Sequence, residues 1–242
     1  MNKYPVKYFF CSNCGYIHTA PPYWLEESYE NPINDTDTGM LKRNINLANR
    51  IAPSLWMEFG KNGKFLDWAG GYGVFVRLMR DFGFDFRWSD PYTKNIFAMN
   101  FEASDSDKFD LVTCCEVFEH LENPMHEFEK LLEKTDNILI STELFDADNI
   151  PSIDQWYYYD IRHGQHISFF STRTLNYIAK RYGLHLISNK HNLHLFSRNK
   201  LRNKNIISIS MKTHRLLLLP FTEYVRLKMQ TRIVEDSKLA GN

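Results

Sequence analysis

The sequence predicts an α/β fold built on a doubly wound, mostly parallel sheet. Short apolar runs of strand length alternate with segments whose apolar residues recur at three- and four-residue steps, which is the helical period. One run, Phe109–Cys115, is apolar almost throughout, as expected of a strand covered on both faces. Such alternation is typical of parallel strands joined by crossover helices. With 242 residues, of which 43% are hydrophobic, the chain is long enough to bury this core.

The predicted elements follow one another in a regular order. A helix is expected from about Met40 to Phe59, where Pro53 would kink or divide it. The elements predicted after it are the strands Lys64–Ala69, Phe84–Ser89, Phe109–Cys115 and Asn137–Thr142, and the helices Val74–Phe82, Asn123–Lys134 and Thr172–Tyr182. Leu184–Phe196 is strand-like and is expected to form an antiparallel hairpin with Asn205–Met211.

Both ends of the chain differ from this core, which we place at residues 39–200. Residues 1–38 are rich in proline and aromatic residues and are expected to form an irregular or helical extension. Residues 201–242 form a basic segment that is expected either to complete the sheet or to cover the functional site.

The net charge is zero, with 29 basic and 29 acidic residues, so global charge gives no argument for nucleic-acid binding. The basic residues are unevenly placed, because Arg198–Arg232 holds nine of them and one acid, Glu223. That stretch could meet an anionic substrate, a membrane surface or a polyanion, or it could be a solvated basic face. We expect a cytoplasmic protein without a membrane span, because the chain has no apolar stretch of 18 residues, no signal-peptide pattern and only four cysteines.

The strongest local signal is a glycine-rich turn, Phe65–Gly73, between a predicted strand and a predicted helix. Ligands of open α/β sheets bind in this region. The spacing is not G-x-G-x-x-G, and Asp67 precedes the glycines, where a carboxylate would repel a pyrophosphate but accept hydrogen bonds from an ammonium group. Asp90 ends the next strand, where it would accept the hydroxyls of a ribose or serve as a turn residue. A structural turn without a ligand is the alternative.

At these residues the sequence resembles the class I S-adenosylmethionine-dependent methyltransferases. Leu66–Gly73 resembles the first motif of that family, Asp90 its ribose-binding acid, and Phe109–Leu121 its third motif. The matched segments run from about residue 60 to 185. The resemblance implies a Rossmann-like fold and methyl transfer.

The resemblance also implies S-adenosyl-L-methionine as the cofactor. Asp67 and the glycine backbone would surround its amino-acid end, Asp90 would bind its ribose, and the neighbourhood of Phe101 would flank its adenine. The expected cofactor-binding residues are Asp67, Ala69, Gly70, Gly71, Tyr72, Gly73, Asp90, Pro91, Phe101, Glu102, Cys115 and Glu116. Ala69 replaces the usual first glycine of the family and would resist a positive φ.

Candidate catalytic groups lie in two segments. Methyl transfer to a hydroxyl or a carbon acid requires a base. Glu116, Glu119 and His120 follow the third strand, and a helix there would place Glu116 and His120 on one face. His166 begins a segment that resembles a motif of the methyltransferase subgroup associated with sugar and natural-product tailoring, which implies a place beside the substrate pocket. We expect His166, His120 and Glu116 to be catalytic.

Each of these residues has a structural alternative. His166 could cap the following helix or pack in the core, and His120 could make a structural hydrogen bond from the start of a helix. Tyr157–Tyr159 are expected to line the acceptor site, with at least one of them in the core.

The N-terminal cysteines have the spacing of one knuckle of a zinc site, Cys11-Ser12-Asn13-Cys14. No second CxxC exists, and His18 is the nearest further ligand. The resembled subgroup often begins with a two-knuckle zinc module and a proline-rich link. Pro21-Pro22 and Tyr29 match that link, but the first knuckle is missing, so we expect no bound metal. Cys114 and Cys115 are expected to be inert core thiols.

The expected function is methyl transfer to a small polar acceptor, for which a sugar or nucleotide-linked sugar of surface-polysaccharide or natural-product biosynthesis is the leading candidate. The basic C-terminal segment would suit an anionic acceptor. Two alternatives stay open, an RNA or protein methyltransferase and a catalytically silent cofactor-binding module. An Asn-Pro-Pro-Tyr motif after the third strand would indicate amine methylation, but this chain has Cys115-Glu116-Val117-Phe118 there. We expect no nucleic-acid partner.

Overall fold

The computed structural model describes residues 4–29, 38–212 and 215–240. Its strands are β1 (Tyr8–Phe10), β2 (Ile17–Thr19), β3 (Lys64–Trp68), β4 (Asp85–Ser89), β5 (Leu111–Cys115), β6 (Asn137–Ser141), β7 (Leu144–Phe145), β8 (Ser168–Ser171), β9 (His185–Ser188) and β10 (Leu193–Ser197). Its α-helices are α1 (Leu25–Ser28), α2 (Met40–Phe59), α3 (Val74–Phe82), α4 (Pro124–Lys134), α5 (Thr172–Tyr182), α6 (Lys204–Lys212), α7 (Arg215–Met229) and α8 (Ile233–Ala240).

The large sheet has six strands in the order β4-β3-β5-β6-β10-β9. The first four are parallel, and β10 is antiparallel to both β6 and β9. Apolar clusters cover both of its faces. One cluster includes buried residues of α2, α3, α6 and α7, and the other includes buried residues of α4 and α5. The doubly wound, mostly parallel α/β fold predicted from the sequence is therefore confirmed.

The predicted core helices have nearly the expected bounds, and local sequence explains their ends. Helix α3 ends at Gly83, whose φ of 105° lets the chain reverse. Helix α4 begins after Asn123, whose side chain accepts a hydrogen bond from the His126 amide. Helix α2 continues through Pro53 as one element, so Pro53 does not divide it.

The C-terminal hairpin differs from the prediction in its second strand. Strands β9 and β10 pair with each other, and the segment expected to form the partner strand is part of helix α6. The turn between β9 and β10 is closed by Asn189, whose side-chain oxygen accepts hydrogen bonds from three successive backbone amides. Residues 201–242 add no strand within the part that the structure describes, because α6, α7 and α8 are helical.

The N-terminal extension also needs correction, because part of it is regular. Strands β1 and β2 form a second sheet in the order β1-β2-β8-β7, in which β2 pairs antiparallel with β8. Aromatic and β-branched residues at Tyr8–Phe10 and Ile17–Thr19 suit strands, but the intervening Cys-Ser-Asn-Cys-Gly segment hides their period in the sequence. Among the described helices, none combines the length and apolarity needed to cross a bilayer.

Candidate active site

Three parallel strands bring the predicted cofactor residues to one edge of the sheet. Strand β3 lies between β4 and β5, and Asp67 pairs in register with Trp88 on one side and Thr113 on the other. Asp90 follows β4 and Glu116 follows β5. Because parallel strands end at the same edge, these acids lie around one crevice, where ligands of such sheets bind.

Asp67 is the most deeply buried acid of this edge, with 2% of its surface exposed. The Thr113 hydroxyl donates a 2.6 Å hydrogen bond to its Oδ1. The pKa of the Asp67 carboxyl is raised to about 7, mainly by burial and to a smaller extent by the nearby Asp90, against the lowering effect of the Thr113 hydrogen bond. A buried carboxylate with a raised pKa is stabilised by a ligand that brings a positive charge.

The glycine-rich turn has positive φ not only at Gly71 and Gly73 but also at Ala69, which was expected to resist it. Ala69 has a φ of 56°, so an alanine occupies the left-handed region that its side chain disfavours. Gly73 has a φ of 84°, and an added Cβ would lie 2.9 Å from the Ala98 Cβ. A Cβ on Gly71 would meet no atom within 4 Å, so the backbone there borders open space. The turn therefore offers backbone to a ligand at Gly71 and requires glycine for packing at Gly73.

Asp90 ties this turn to the end of β4. Its Oδ2 accepts a 2.9 Å hydrogen bond from the Gly71 amide, and its Oδ1 accepts hydrogen bonds from the amides of Tyr92 and Thr93. The turn role that the sequence left open is thus present. Asp90 is half-buried, and its ribose role stays a prediction.

The residues expected around the adenine differ in accessibility. Phe101 is 4% exposed, and the Arg80 guanidinium lies 3.7 Å from its ring centroid. Little of this side chain can therefore reach a ligand. Glu102 is exposed beside it and accepts a 2.7 Å hydrogen bond from the Asn95 amide group. Tyr72 is half-buried and Pro91 is exposed.

The end of β5 has a second strained residue, Glu116, at a φ of 56°. Its Oε1 accepts a 2.5 Å hydrogen bond from the Ser141 hydroxyl, and burial raises its pKa to about 7. Glu116 precedes a single 3₁₀ turn, Phe118–His120, and is not itself helical. The predicted shared helical face of Glu116 and His120 is therefore wrong, because the chain turns sharply at Glu116. Cys115, just before it, is half-buried, and burial raises its thiol pKa.

The structure brings Glu119, His120 and His166 together behind this turn. One side-chain ligand atom from each lies within 4.8 Å of the others. The two imidazole rings are edge to face, with centroids 4.8 Å apart. Burial lowers the pKa of His120 to about 3 and also lowers that of His166, so both rings are neutral bases near pH 7. Ser171 caps helix α5, so His166 does not cap it.

Contacts that the sequence did not predict fix the orientation of this group. The His166 Nδ1 lies 2.7 Å from the Tyr158 carbonyl oxygen, and the His120 Nδ1 lies 3.2 Å from the Gln165 carbonyl oxygen. The Tyr29 hydroxyl lies 2.9 Å from the same His120 nitrogen. From the sequence, Glu119 was named as a candidate beside Glu116 and His120 but was given no role of its own. Since these contacts join chain segments far apart in sequence, no local pattern could have indicated them.

The tyrosine run divides as expected between core and surface. Tyr158 and Tyr159 are buried, whereas Tyr157 is 77% exposed. The Tyr158 hydroxyl donates a 2.6 Å hydrogen bond to Glu119 Oε1.

The N-terminal cysteines form a knuckle-like turn. The Gly15 amide donates to the Cys11 carbonyl oxygen, and Cys11 and Cys14 are both half-buried free thiols. Cys114 is completely buried.

Comparisons with known proteins identify the family of the chain. A family model described as "Methyltransferase domain" matches residues 40–189, which is more than half of the chain. A search of curated proteins found no match. Among solved structures, the chain is similar to TnmH with a TM-score of 0.50 and 14% identity, covering 72% of this chain and 61% of that one. That likeness shows the fold alone.

Two further solved structures are more weakly similar. The plantazolicin methyltransferase BpumL has a TM-score of 0.49 and 16% identity over 81% of this chain and 87% of that one. Human N-acetylserotonin methyltransferase has a TM-score of 0.44 and 12% identity over 64% of this chain and 52% of that one. From the family match, the chain belongs to the methyltransferase-domain family, in agreement with its resemblance to the class I S-adenosylmethionine-dependent enzymes.

Proposed function

We propose that the chain transfers a methyl group from S-adenosyl-L-methionine to a small polar acceptor, of which a sugar or nucleotide-linked sugar is the leading candidate. The observation that carries this proposal is that the two polar groups are linked at the end of β5. Asp67 interacts with the Cys115 side chain, and Glu116, the next residue, interacts electrostatically with His166.

The residues of the crevice fit the cofactor. Asp67 offers a buried carboxylate for the cofactor's ammonium group, and the open backbone at Gly71 allows close approach. Asp90 keeps lone pairs for the ribose hydroxyls beyond those used by the turn. When bound, the cofactor supplies an electrophilic methyl group on its sulfonium.

The chain's own contribution to the chemistry is a neutral base beside the crevice. His166 donates from Nδ1 to the Tyr158 carbonyl oxygen, which leaves the lone pair of Nε2 to accept a proton. Its pKa is lowered by burial, so the ring is unprotonated at neutral pH. His166 can therefore take the proton of an acceptor hydroxyl while that oxygen attacks the methyl carbon.

The surroundings suit a polar acceptor. His120 and His166 are half-buried, Glu116 is exposed, and all three present hydrogen-bonding atoms to one region. Tyr157 adds an exposed aromatic face beside them, of the kind that packs on sugar rings. The basic C-terminal segment gives no argument for a phosphorylated acceptor, because Arg226 on α7 lies over the Phe82 ring at the end of α3 and pairs with Glu223. A cytoplasmic location would supply nucleotide-linked sugars.

The direct test is transfer of a labelled methyl group from S-adenosylmethionine to a panel of sugars, nucleotide-linked sugars, catechols and RNA. We expect labelling of at least one sugar-containing acceptor, with kcat reduced about 100-fold or more in His166→Ala and unchanged in His163→Ala. His163 is the matched control, because it lies in the same loop but pairs with Asp160. Labelling of RNA alone, or of nothing, would overturn the proposal.

A further inference from the structure

Glu119, His120 and His166 form a group with more donor side chains than general-base catalysis requires. One neutral imidazole is enough to accept a proton, but this structure places a second imidazole and a buried carboxylate beside it. Two imidazoles and one carboxylate form a ligand set typical of divalent transition metals. Across residues 4–29, 38–212 and 215–240, no other three His, Cys, Asp or Glu side chains meet in this way.

The tautomer of His166 is that of a metal ligand. Its Nδ1 faces the Tyr158 carbonyl oxygen, which only accepts hydrogen bonds, so Nδ1 carries the proton and the lone pair is on Nε2. The His120 Nδ1 faces both the Gln165 carbonyl oxygen and the Tyr29 hydroxyl, and donation to Gln165 gives His120 the same tautomer. Imidazoles that bind metals usually donate their other N–H to a carbonyl or carboxylate in this way, which fixes the ring and increases its basicity.

The carboxylate supplies an independent observation. Glu119 is 0% exposed, and its Oε1 accepts the hydrogen bond from Tyr158. Its Oε2 is buried and has no hydrogen-bond partner. A buried carboxyl oxygen without a hydrogen bond is costly. Arg43 interacts with Glu119 electrostatically, and a metal ion shared with the two imidazoles would bind this oxygen directly.

We propose that Glu119, His120 and His166 bind a divalent transition-metal ion at the acceptor site. Ligand atoms around such an ion lie about 3 to 3.4 Å apart when each is about 2.1 Å from the metal. The present separations of up to 4.8 Å therefore require side-chain movements of about 1 Å on binding. Glu116 interacts electrostatically with both Glu119 and His166. Its carboxylate therefore offers a fourth donor atom at the edge of the site.

A metal ion at this site would favour a hydroxyl group as the methyl acceptor. This inference rests on the proposed function. Three protein ligands leave coordination positions open, and an acceptor hydroxyl bound there becomes more acidic. With its Nε2 lone pair on the metal, His166 would act as a ligand and not as the base, so the O–H proton would pass to Glu116 or to water. The oxygen would form a bond to the methyl carbon, and the carbon–sulfur bond would break with its electron pair on sulfur. The products are a methyl ether and S-adenosylhomocysteine. The acceptor atom is then oxygen, and the metal-free site expected from the sequence is revised.

The test is titration of tag-free, chelator-treated protein with Co²⁺, followed by its visible absorption and by equilibrium dialysis. We expect one Co²⁺ per chain in the wild type, about tenfold or more weaker binding in Glu119→Gln and His166→Gln, and no change in His163→Gln. A Cys11→Ser, Cys14→Ser variant should also bind one Co²⁺, which excludes the cysteine knuckle as the site. Circular dichroism of each variant checks that it is folded.

The outcomes separate this inference from the proposed function. No stoichiometric Co²⁺ binding, or binding lost only with the cysteines, overturns the metal site, whatever the cofactor result. Wild-type protein that binds Co²⁺ but not S-adenosylhomocysteine keeps the metal site and overturns the proposed function. If both bind, addition of Mn²⁺ or Co²⁺ to chelator-treated enzyme is expected to raise the rate of methyl transfer, and an unchanged rate would contradict the role assigned to the metal.

Discussion

At the scale of single residues, two non-glycine residues with positive φ mark the ends of adjacent strands. Ala69 follows β3 and Glu116 follows β5, and both have a φ of 56°. Such conformations cost free energy and persist where the surrounding structure determines them. In this chain they turn the backbone at the two points where the proposed cofactor and acceptor sites meet. The strain at these residues therefore coincides with the proposed site.

The strain at Ala69 predicts a stabilising substitution. Ala69→Gly removes the Cβ that the left-handed conformation disfavours, and we expect the free energy of unfolding to increase by about 0.5–1 kcal/mol. Urea denaturation of the cofactor-free protein measures this change. The control is Ala103→Gly, at a residue that does not have positive φ, which should be destabilising. A loss of stability in Ala69→Gly would show that the turn is not strained as described.

At the scale of elements, the sequence predicted the parallel core well. Helices α3 and α5 have the predicted bounds, because each has a regular apolar period and ends at a glycine. The first motif was also predictable, since Asp67 and the glycines lie within one local turn. Here local pattern and tertiary structure agree.

The elements that were not predicted from the sequence depend on contacts with residues far away in the chain. Segment Lys204–Lys212 contains Ile, Ser and Met residues compatible with a strand, and it is helical because Ile207 and Met211, one turn apart, are both buried in the core. Strands β1 and β2 are short and depend on pairing with β8, far away in sequence. In the site, the contacts of Tyr29 and Gln165 with His120 connect three separate segments. Local patterns do not indicate such contacts.

The packing of α8 on α3 provides a prediction at this scale. Arg80 and Asp236 are both almost fully buried and form a bidentate ion pair, with N–O distances of 2.7 and 2.9 Å. Asp236→Asn removes the carboxylate that pairs with both Arg80 and Arg77, and it leaves the buried Arg80 with Asp85 as its acidic partner. We expect it to lower the free energy of unfolding by about 2 kcal/mol, measured by urea denaturation.

A neighbouring acid supplies the control for this experiment. Glu235 is exposed and pairs with Arg232, so Glu235→Gln should change stability by less than about 0.5 kcal/mol. Equal effects of the two substitutions would contradict the assignment of α8 as part of the buried structure.

At the scale of the whole molecule, the two sheets position different residues of the proposed site. The large sheet presents Asp67, Asp90 and Glu116 at the ends of parallel strands. The small sheet and the N-terminal segment hold the loop that leads to His166, through hydrogen bonds from Trp24 to the Gly164 carbonyl and from Gln165 to the Ser28 carbonyl. The proposed acceptor site thus lies where the N-terminal extension meets the methyltransferase core.

The central claim, that Asp67 anchors the ammonium group of the cofactor, is tested most directly by calorimetric titration with S-adenosylhomocysteine. Only the ionised carboxylate attracts the ammonium group, and the pKa of Asp67 is raised by burial to about 7. The expected result is tight wild-type binding at pH 8 that weakens about tenfold at pH 6, as Asp67 takes up a proton. Asp67→Ala should bind at least about tenfold more weakly at pH 8 and lose this pH dependence. Absence of wild-type binding, or unchanged affinity in Asp67→Ala, would contradict the account.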